Sequence, residues 1–218
     1  MKLFMQEFLK DVIDDNHEMA MEEKISANNI PVTDRSYDEL STSERENIIQ
    51  ILLKERHYYL KEGVHIAYGR ESSLQQPVFL EEFENCKDLV SLGFEVYMLP
   101  SGCAAQNGQY KECADTITDK RLLELKHVDS PKKVGDRYQA GRHQGQDVYI
   151  SIRPPISEQE ALRQIFSKIR RIKEHDDSEN FEGRLFLHFV ETGKTIMYSI
   201  NKLGVVQKRP LFGSPATE

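Results

Sequence analysis

The sequence predicts an α/β protein of the α+β class, with a mixed central sheet flanked by helices and a helical region in front of it. Two observations carry this expectation. From residue 79 onward, segments of helical and strand periodicity follow one another as α-β-β-β-α-β and then α-β-β. A strand–helix–strand unit in such a series gathers its strands into one sheet with helices on the faces. Before residue 71 the apolar pattern is largely helical. The chain therefore divides into an N-terminal helical region, 1–70, and a mixed domain, 71–218.

Each element follows from local pattern. Phe4, Phe8 and Val12 fall four apart, with Leu9 and Ile13 beside them, as one stripe of an amphipathic helix. Residues 27–41, with Asn28, Asn29, Pro31 and Asp34, read as a loop. Ser41 and Ser43 each have a glutamate three residues on, Glu44 and Glu46, which is the capping-box spacing. A helix should follow with Ile48, Ile49, Leu52 and Leu53 inward, running to a stop at Glu62-Gly63. Residues 64–68 suit a short strand, and 69–77 a boundary loop. Residues 79–92 form a helix with Phe79, Phe83, Cys86 and Leu89 inward and Gly93 at its C-cap. A strand over 94–99 stops at Pro100, and 101–112 is a loop. Residues 114–118 and 121–126 are strands joined at Asp119-Lys120. Residues 131–144 suggest an irregular helix weakened by Gly135 and Gly141, and 148–152 a strand. Ser157 caps a helix to about Lys173, striped by Leu162, Ile165, Phe166, Ile169 and Ile172. Residues 184–190 and 195–200 make a last hairpin, and the tail after Gln207 is expected to fray.

Composition narrows the function classes. Apolar residues are 39% and charged residues 30% of the chain, the balance of a soluble globular protein. No run approaches the roughly 20 apolar residues that cross a bilayer. Gln6, Glu7, Lys10 and Asp11 interrupt any secretion core, so a cytoplasmic protein without membrane contact is expected. The three cysteines, Cys86, Cys103 and Cys113, are odd in number and form no Cys-x-x-Cys, as reduced thiols would. Cys103, Cys113 and His127 match no zinc spacing. The net charge of −7 argues against a broad basic surface for nucleic acid, while leaving room for a local basic patch. There is no phosphate-binding Gly-rich loop, no dinucleotide fingerprint and no nucleophile elbow.

Chemistry concentrates on the hairpin at Asp119-Lys120. Side chains alternate along a strand, so Glu124 and Lys126 share one face and Leu123 and Leu125 the other. Pairing across the turn places Asp115 opposite Glu124, with Cβ atoms roughly 5 Å apart. Two facing carboxylates repel unless a cation lies between them. Oxygen ligands suit Mg²⁺ or Mn²⁺, and Lys126 alongside can orient an attacking water or offset charge on a phosphate. The plain alternative is a solvated strand face on which Lys126 neutralises one acid. Lys132, Lys133, Arg137, Arg142 and His143 follow the hairpin closely and could hold substrate phosphates. Arg170, Arg171 and Lys173 on the later helix fit a solvated face better.

The stretches 84–100, 114–120, Leu122-Leu-Glu124-Leu-Lys126 and 138–152 resemble the PD-(D/E)XK nuclease superfamily. More closely, they resemble the C-terminal toxin nuclease domains of bacterial contact-dependent growth inhibition proteins. The resemblance covers roughly residues 79–198. It implies a restriction-endonuclease-like core, Asp115, Glu124 and Lys126 as the metal and catalytic positions, and Glu84 as the helix carboxylate that completes the metal shell. Gln139 and Gln144 correspond to the polar helix lining such sites. It also implies RNA, tRNA included, as a substrate, with DNA equally open on physical grounds. The residue before Asp115 is Ala114 rather than Pro, and Gly135 and Gly141 blur the helix after Lys126. The expectation is a metal-dependent nuclease, with protein partners or a dimer through the N-terminal helices. The alternative is a non-catalytic nucleic-acid- or protein-binding module that keeps the fold.

Overall fold

The computed structural model describes residues 40–54, 57–68, 70, 77–99, 114–177 and 179–211. The helix expected over Phe4–Ile13, Cys103 and Cys113 lie outside them.

A helix α1 (Thr42–Lys54) opens the described chain. Its start is the expected capping box: the Ser41 N–H donates to Glu44 Oε2 at 2.7 Å, and the Glu44 N–H reaches Ser41 Oγ at 3.4 Å. The helix stops at Lys54 rather than at Glu62-Gly63. The residues between form strand β1 (Tyr58–Lys61), paired antiparallel to β2 (Val64–Ala67). Glu62 and Gly63 both have positive φ, 48° and 83°, so they are the centre of a tight hairpin turn and not a helix stop. The Tyr58-Tyr59 pair favours extended backbone and overrides the helical pattern.

The remaining elements are α2 (Pro77–Ser91), β3 (Val96–Met98), β4 (Thr116–Thr118), β5 (Arg121–Val128), α3 (Val134–Arg142), β6 (Asp147–Ile152), α4 (Glu158–His175), β7 (Gly183–Phe189), β8 (Lys194–Ile200) and β9 (Val206–Arg209). Among the described residues, nine strands form one mixed sheet in sequential order. β2 and β3 are parallel, as are β5, β6 and β7, and the other neighbours are antiparallel. The tail expected to fray after Gln207 instead holds β9 against β8 as far as Arg209. Among the described residues no helix is long and apolar enough to cross a membrane.

The two faces of the sheet have separate cores. On one, α2 packs Phe79, Phe83, Cys86 and Leu89 against Val96, Leu123, Leu125, Tyr149 and Phe186. On the other, α3 and α4 cover Val128, Val148, Ile150 and Ile152, and α1 covers Ile117 and Leu122 with Ile48, Ile49 and Leu52. In the parallel register Glu124 pairs with Val148 and Lys126 with Ile150. Both therefore emerge on this second face, between α1 and α3.

The β4–β5 hairpin is fixed from outside by a buried acid. Asp147 has no exposed surface and accepts from Arg121 Nε at 3.0 Å and Arg184 Nε at 2.7 Å. Arg184 also binds Asp119 Oδ2 at 2.7 Å and the Thr118 carbonyl at 3.0 Å. Asp119 and Lys120 both take positive φ, 49° and 60°, as a two-residue hairpin turn demands. Neither is glycine, so the turn carries strain. Lys120→Gly is expected to stabilise the protein by about 0.5–1 kcal/mol in chemical denaturation. An unchanged or lowered midpoint would show that the turn is not strained.

Candidate functional site

The register Thr116↔Leu123, continued by one step, sets Asp115 beside Glu124. Two hydrogen bonds fix the pair. The Asp115 N–H donates to Glu124 Oε2 at 3.2 Å, and the Leu125 N–H donates to Asp115 Oδ2 at 3.1 Å. Each carboxylate thus holds the backbone of the other's strand. Lys126 Nζ donates to Glu124 Oε1 and to Gln144 Oε1 in short contacts. The expected triad of Asp115, Glu124 and Lys126 is brought together.

A second layer of charge lies beside it. Arg70 donates to the Leu99 carbonyl at 2.9 Å, pairs with Glu82, and stands 3.8 Å from Asp115 Oδ1. Three carboxylates and two cations therefore share one region. Glu124 is only 3% exposed, while the Asp115 and Lys126 side chains keep 20% and 17% of their surface. Burial first, and then the Asp115 charge, pushes the Glu124 carboxyl well above its usual range, with Lys126 partly offsetting the shift. Burial and Asp115 raise Glu82 in the same way.

The helix carboxylate in this cluster is Glu82. Glu84 is not brought in: its side chain is 67% exposed and pairs with Lys87 at 2.7 Å. Two residues on a helix are turned about 200° apart, so only one can face inward. Glu82 lies between Phe79 and Cys86, at i+3 and i−4, within the inward stripe, and Glu84 lies opposite it. That stripe was the available signal for Glu82. Arg70 had none, because it follows β2 in a segment whose neighbour in space is fixed only by the sheet.

The expected phosphate ligands separate. Gln144 contacts Lys126 and so steadies the ammonium group. Gln139 is half-buried on α3, with no side-chain hydrogen bond to the cluster among the described residues. Arg142 is buried, donating to Glu179 Oε1 at 2.9 Å and the Asn180 carbonyl at 2.6 Å, over the Phe181 ring. It is a packing cation and cannot reach a phosphate without breaking these contacts. Lys132 and Arg137 are exposed, in the turn before α3 and on its first turns, and His143 is exposed at its end.

No protein-family model matches the chain, and no curated protein matches it.

Among the described residues no three side chains of His, Cys, Asp or Glu converge as a ready metal cage. What is present is a two-carboxylate set of oxygen donors. Among the described residues, the cation paired with Asp115 Oδ1 is Arg70 at 3.8 Å, outside hydrogen-bonding range. The pKa of the Glu124 carboxyl is raised by burial first and then by the Asp115 charge beside it. Such donors fit a hard divalent cation that takes its remaining ligands from water and phosphate.

Because the folded pKa of Glu124 is raised, its neutral form stabilises the fold, and this contribution is lost as pH rises through that pKa. Glu124→Gln is therefore expected to raise the melting temperature at pH 8 relative to wild type, with the difference shrinking towards pH 4. A variant less stable than wild type across that range would mean that the Lys126 pair outweighs the buried charge.

Proposed function

We propose that the chain is a Mg²⁺- or Mn²⁺-dependent phosphodiesterase of nucleic acids, on a restriction-endonuclease-like core. The observation that carries the reading is the confrontation of Asp115 and Glu124 across β4 and β5 with Lys126 alongside. Asp115 and Glu124 would hold the cation, and Glu82 is the next carboxylate within reach. When bound, such a cation lowers the pKa of its water and offsets charge on the phosphoryl oxygens. Lys126, held by Gln144, presents an ammonium group to the attacking water or to a phosphate oxygen. Arg70 restrains Glu82 and faces Asp115, limiting how far the acids can part. The free, buried Cys86 suits a reducing compartment such as the cytoplasm. RNA, including tRNA, and DNA both offer the scissile group.

One observation favours a second reading. Lys126 already pairs with the buried Glu124, which would also suit a polar core in a non-catalytic binding module. Incubation with tRNA, single-stranded DNA and duplex DNA, in Mn²⁺ or in EDTA, separates the two. The proposal expects cleavage that requires the metal, disappears in Glu124→Gln and falls by about 10²-fold in Lys126→Ala. Intact substrates throughout, with no heat of Mn²⁺ binding, would establish the binding module instead.

A further inference from the structure

The layer formed by α3 and α4 holds a concentration of cations that the proposed chemistry leaves unused. Residues 131–175 contain ten basic and only five acidic side chains. The acidic excess of the chain lies elsewhere: residues 1–39 alone hold ten acidic and four basic side chains. The net charge of −7 therefore says little about this face.

The cations gather along one seam. On α4, Gln164, Lys168 and Arg171 recur at i, i+4 and i+7 and share a face. Gln164 fixes that face to α3: its Nε2 donates to the Pro131 carbonyl at 2.6 Å, and its Oε1 accepts from the Val134 N–H at 3.2 Å. Gly135 permits the close approach, since a Cβ there would lie 2.8 Å from the Gln164 carbonyl oxygen. One turn on, Lys168 Nζ binds Asp136 Oδ1 at 3.0 Å, and Lys133 Nζ stands 3.8 Å from Asp136 Oδ2. Lys168 first, then Lys133 and Arg171, hold the Asp136 carboxyl below its usual range. Lys168, Lys133 and Arg171 thus gather about a single carboxylate, and Lys132 and Arg137, adjacent in sequence, are exposed.

α3 joins this seam to the carboxylate pair. Its first turns carry the cations, and just beyond its last residue Gln144 reaches Lys126. Both lie on the face of the sheet that α3 and α4 cover.

We propose that the α3–α4 seam binds the phosphodiester backbone of a nucleic-acid strand through Lys132, Lys133, Arg137, Lys168 and Arg171, and leads that strand towards Asp115 and Glu124. The proposal deepens the phosphodiesterase reading and rests on it for the purpose of the bound strand. Binding itself needs no cleavage. Contacts of this kind position a backbone without reading its bases. An anionic membrane is a poorer fit. The exposed apolar side chain of α4, Phe166, lies about 160° round the helix from Lys168, so nothing apolar accompanies the seam into a bilayer.

The test uses the full chain in EDTA with a fluorescent single-stranded 20-mer, as RNA and as DNA, followed by anisotropy at increasing salt. Wild type should bind with an affinity that falls as salt rises. The triple variant Lys132→Glu, Arg137→Glu, Arg171→Glu should weaken binding at least about tenfold and flatten the salt slope by about 2. The control Lys54→Glu, Lys61→Glu, at exposed lysines of which Lys61 lies over Phe83 on the other face of the sheet, should bind like wild type. Equal affinity of the triple variant, an equal loss in the control, or capture by phosphatidylserine vesicles but not by the oligonucleotide each overturns the proposal. Seam-dependent binding by a wild type that cleaves nothing in Mn²⁺ upholds the track and removes the phosphodiesterase reading. Metal-dependent cleavage with binding indifferent to the seam does the reverse.

Discussion

Two carboxylates forced to face each other across a β-ladder are the constraint on which the rest of the structure depends. Asp115 and Glu124 cannot separate, because each accepts an N–H from the other's strand. Their register follows from a two-residue turn, and Arg184 and Asp147 clamp that turn to the neighbouring strands. Fixed acids at this spacing concentrate negative potential at a place only partly open to water. The surroundings answer with Lys126 on one side and Arg70 on the other. An arrangement that only filled a core would be served as well by two apolar side chains, which need no such compensation.

The helices around this point have distinct tasks. α1 and α3 bracket the pair on its own face of the sheet. α2 lies on the opposite face, yet Glu82 reaches the same cluster through Arg70. The rotation and height of α2 are set by polar contacts further along it. Asp88 Oδ2 accepts from the Tyr149 hydroxyl at 2.8 Å and the Thr195 hydroxyl at 2.7 Å, tying the helix to β6 and β8. Hydrogen bonds to a fixed carboxylate inside an otherwise apolar interface allow few alternative registers.

Much of this was legible in the sequence because it depends on short-range pattern. The capping box at Ser41, the cap at Ser157, the α2 stripe and the alternation of Leu123, Glu124, Leu125 and Lys126 are local signals. The sheet confirms the face that each predicts. The confrontation of Asp115 with Glu124 was readable for the same reason, since a two-residue turn dictates its partners. The misses required knowledge of neighbours in space. Tyr58 to Lys61 looked like a continuing helix until a partner strand at Val64–Ala67 drew them into the sheet. The resemblance points to Glu84, whereas the Phe79–Cys86 stripe singles out Glu82. Arg142 resembles Arg137 in sequence, but Glu179 and Phe181, far along the chain, bury one and leave the other in water. Arg70 joins the site only through the packing of the sheet.

The central claim is that Asp115 and Glu124 together hold a divalent cation. Anomalous diffraction from a crystal soaked in Mn²⁺ tests it most directly. The account predicts one strong peak within about 2.5 Å of a carboxylate oxygen of both residues. A well-diffracting soaked crystal with Lys126 still bound to Glu124 and no peak between the two acids would contradict it.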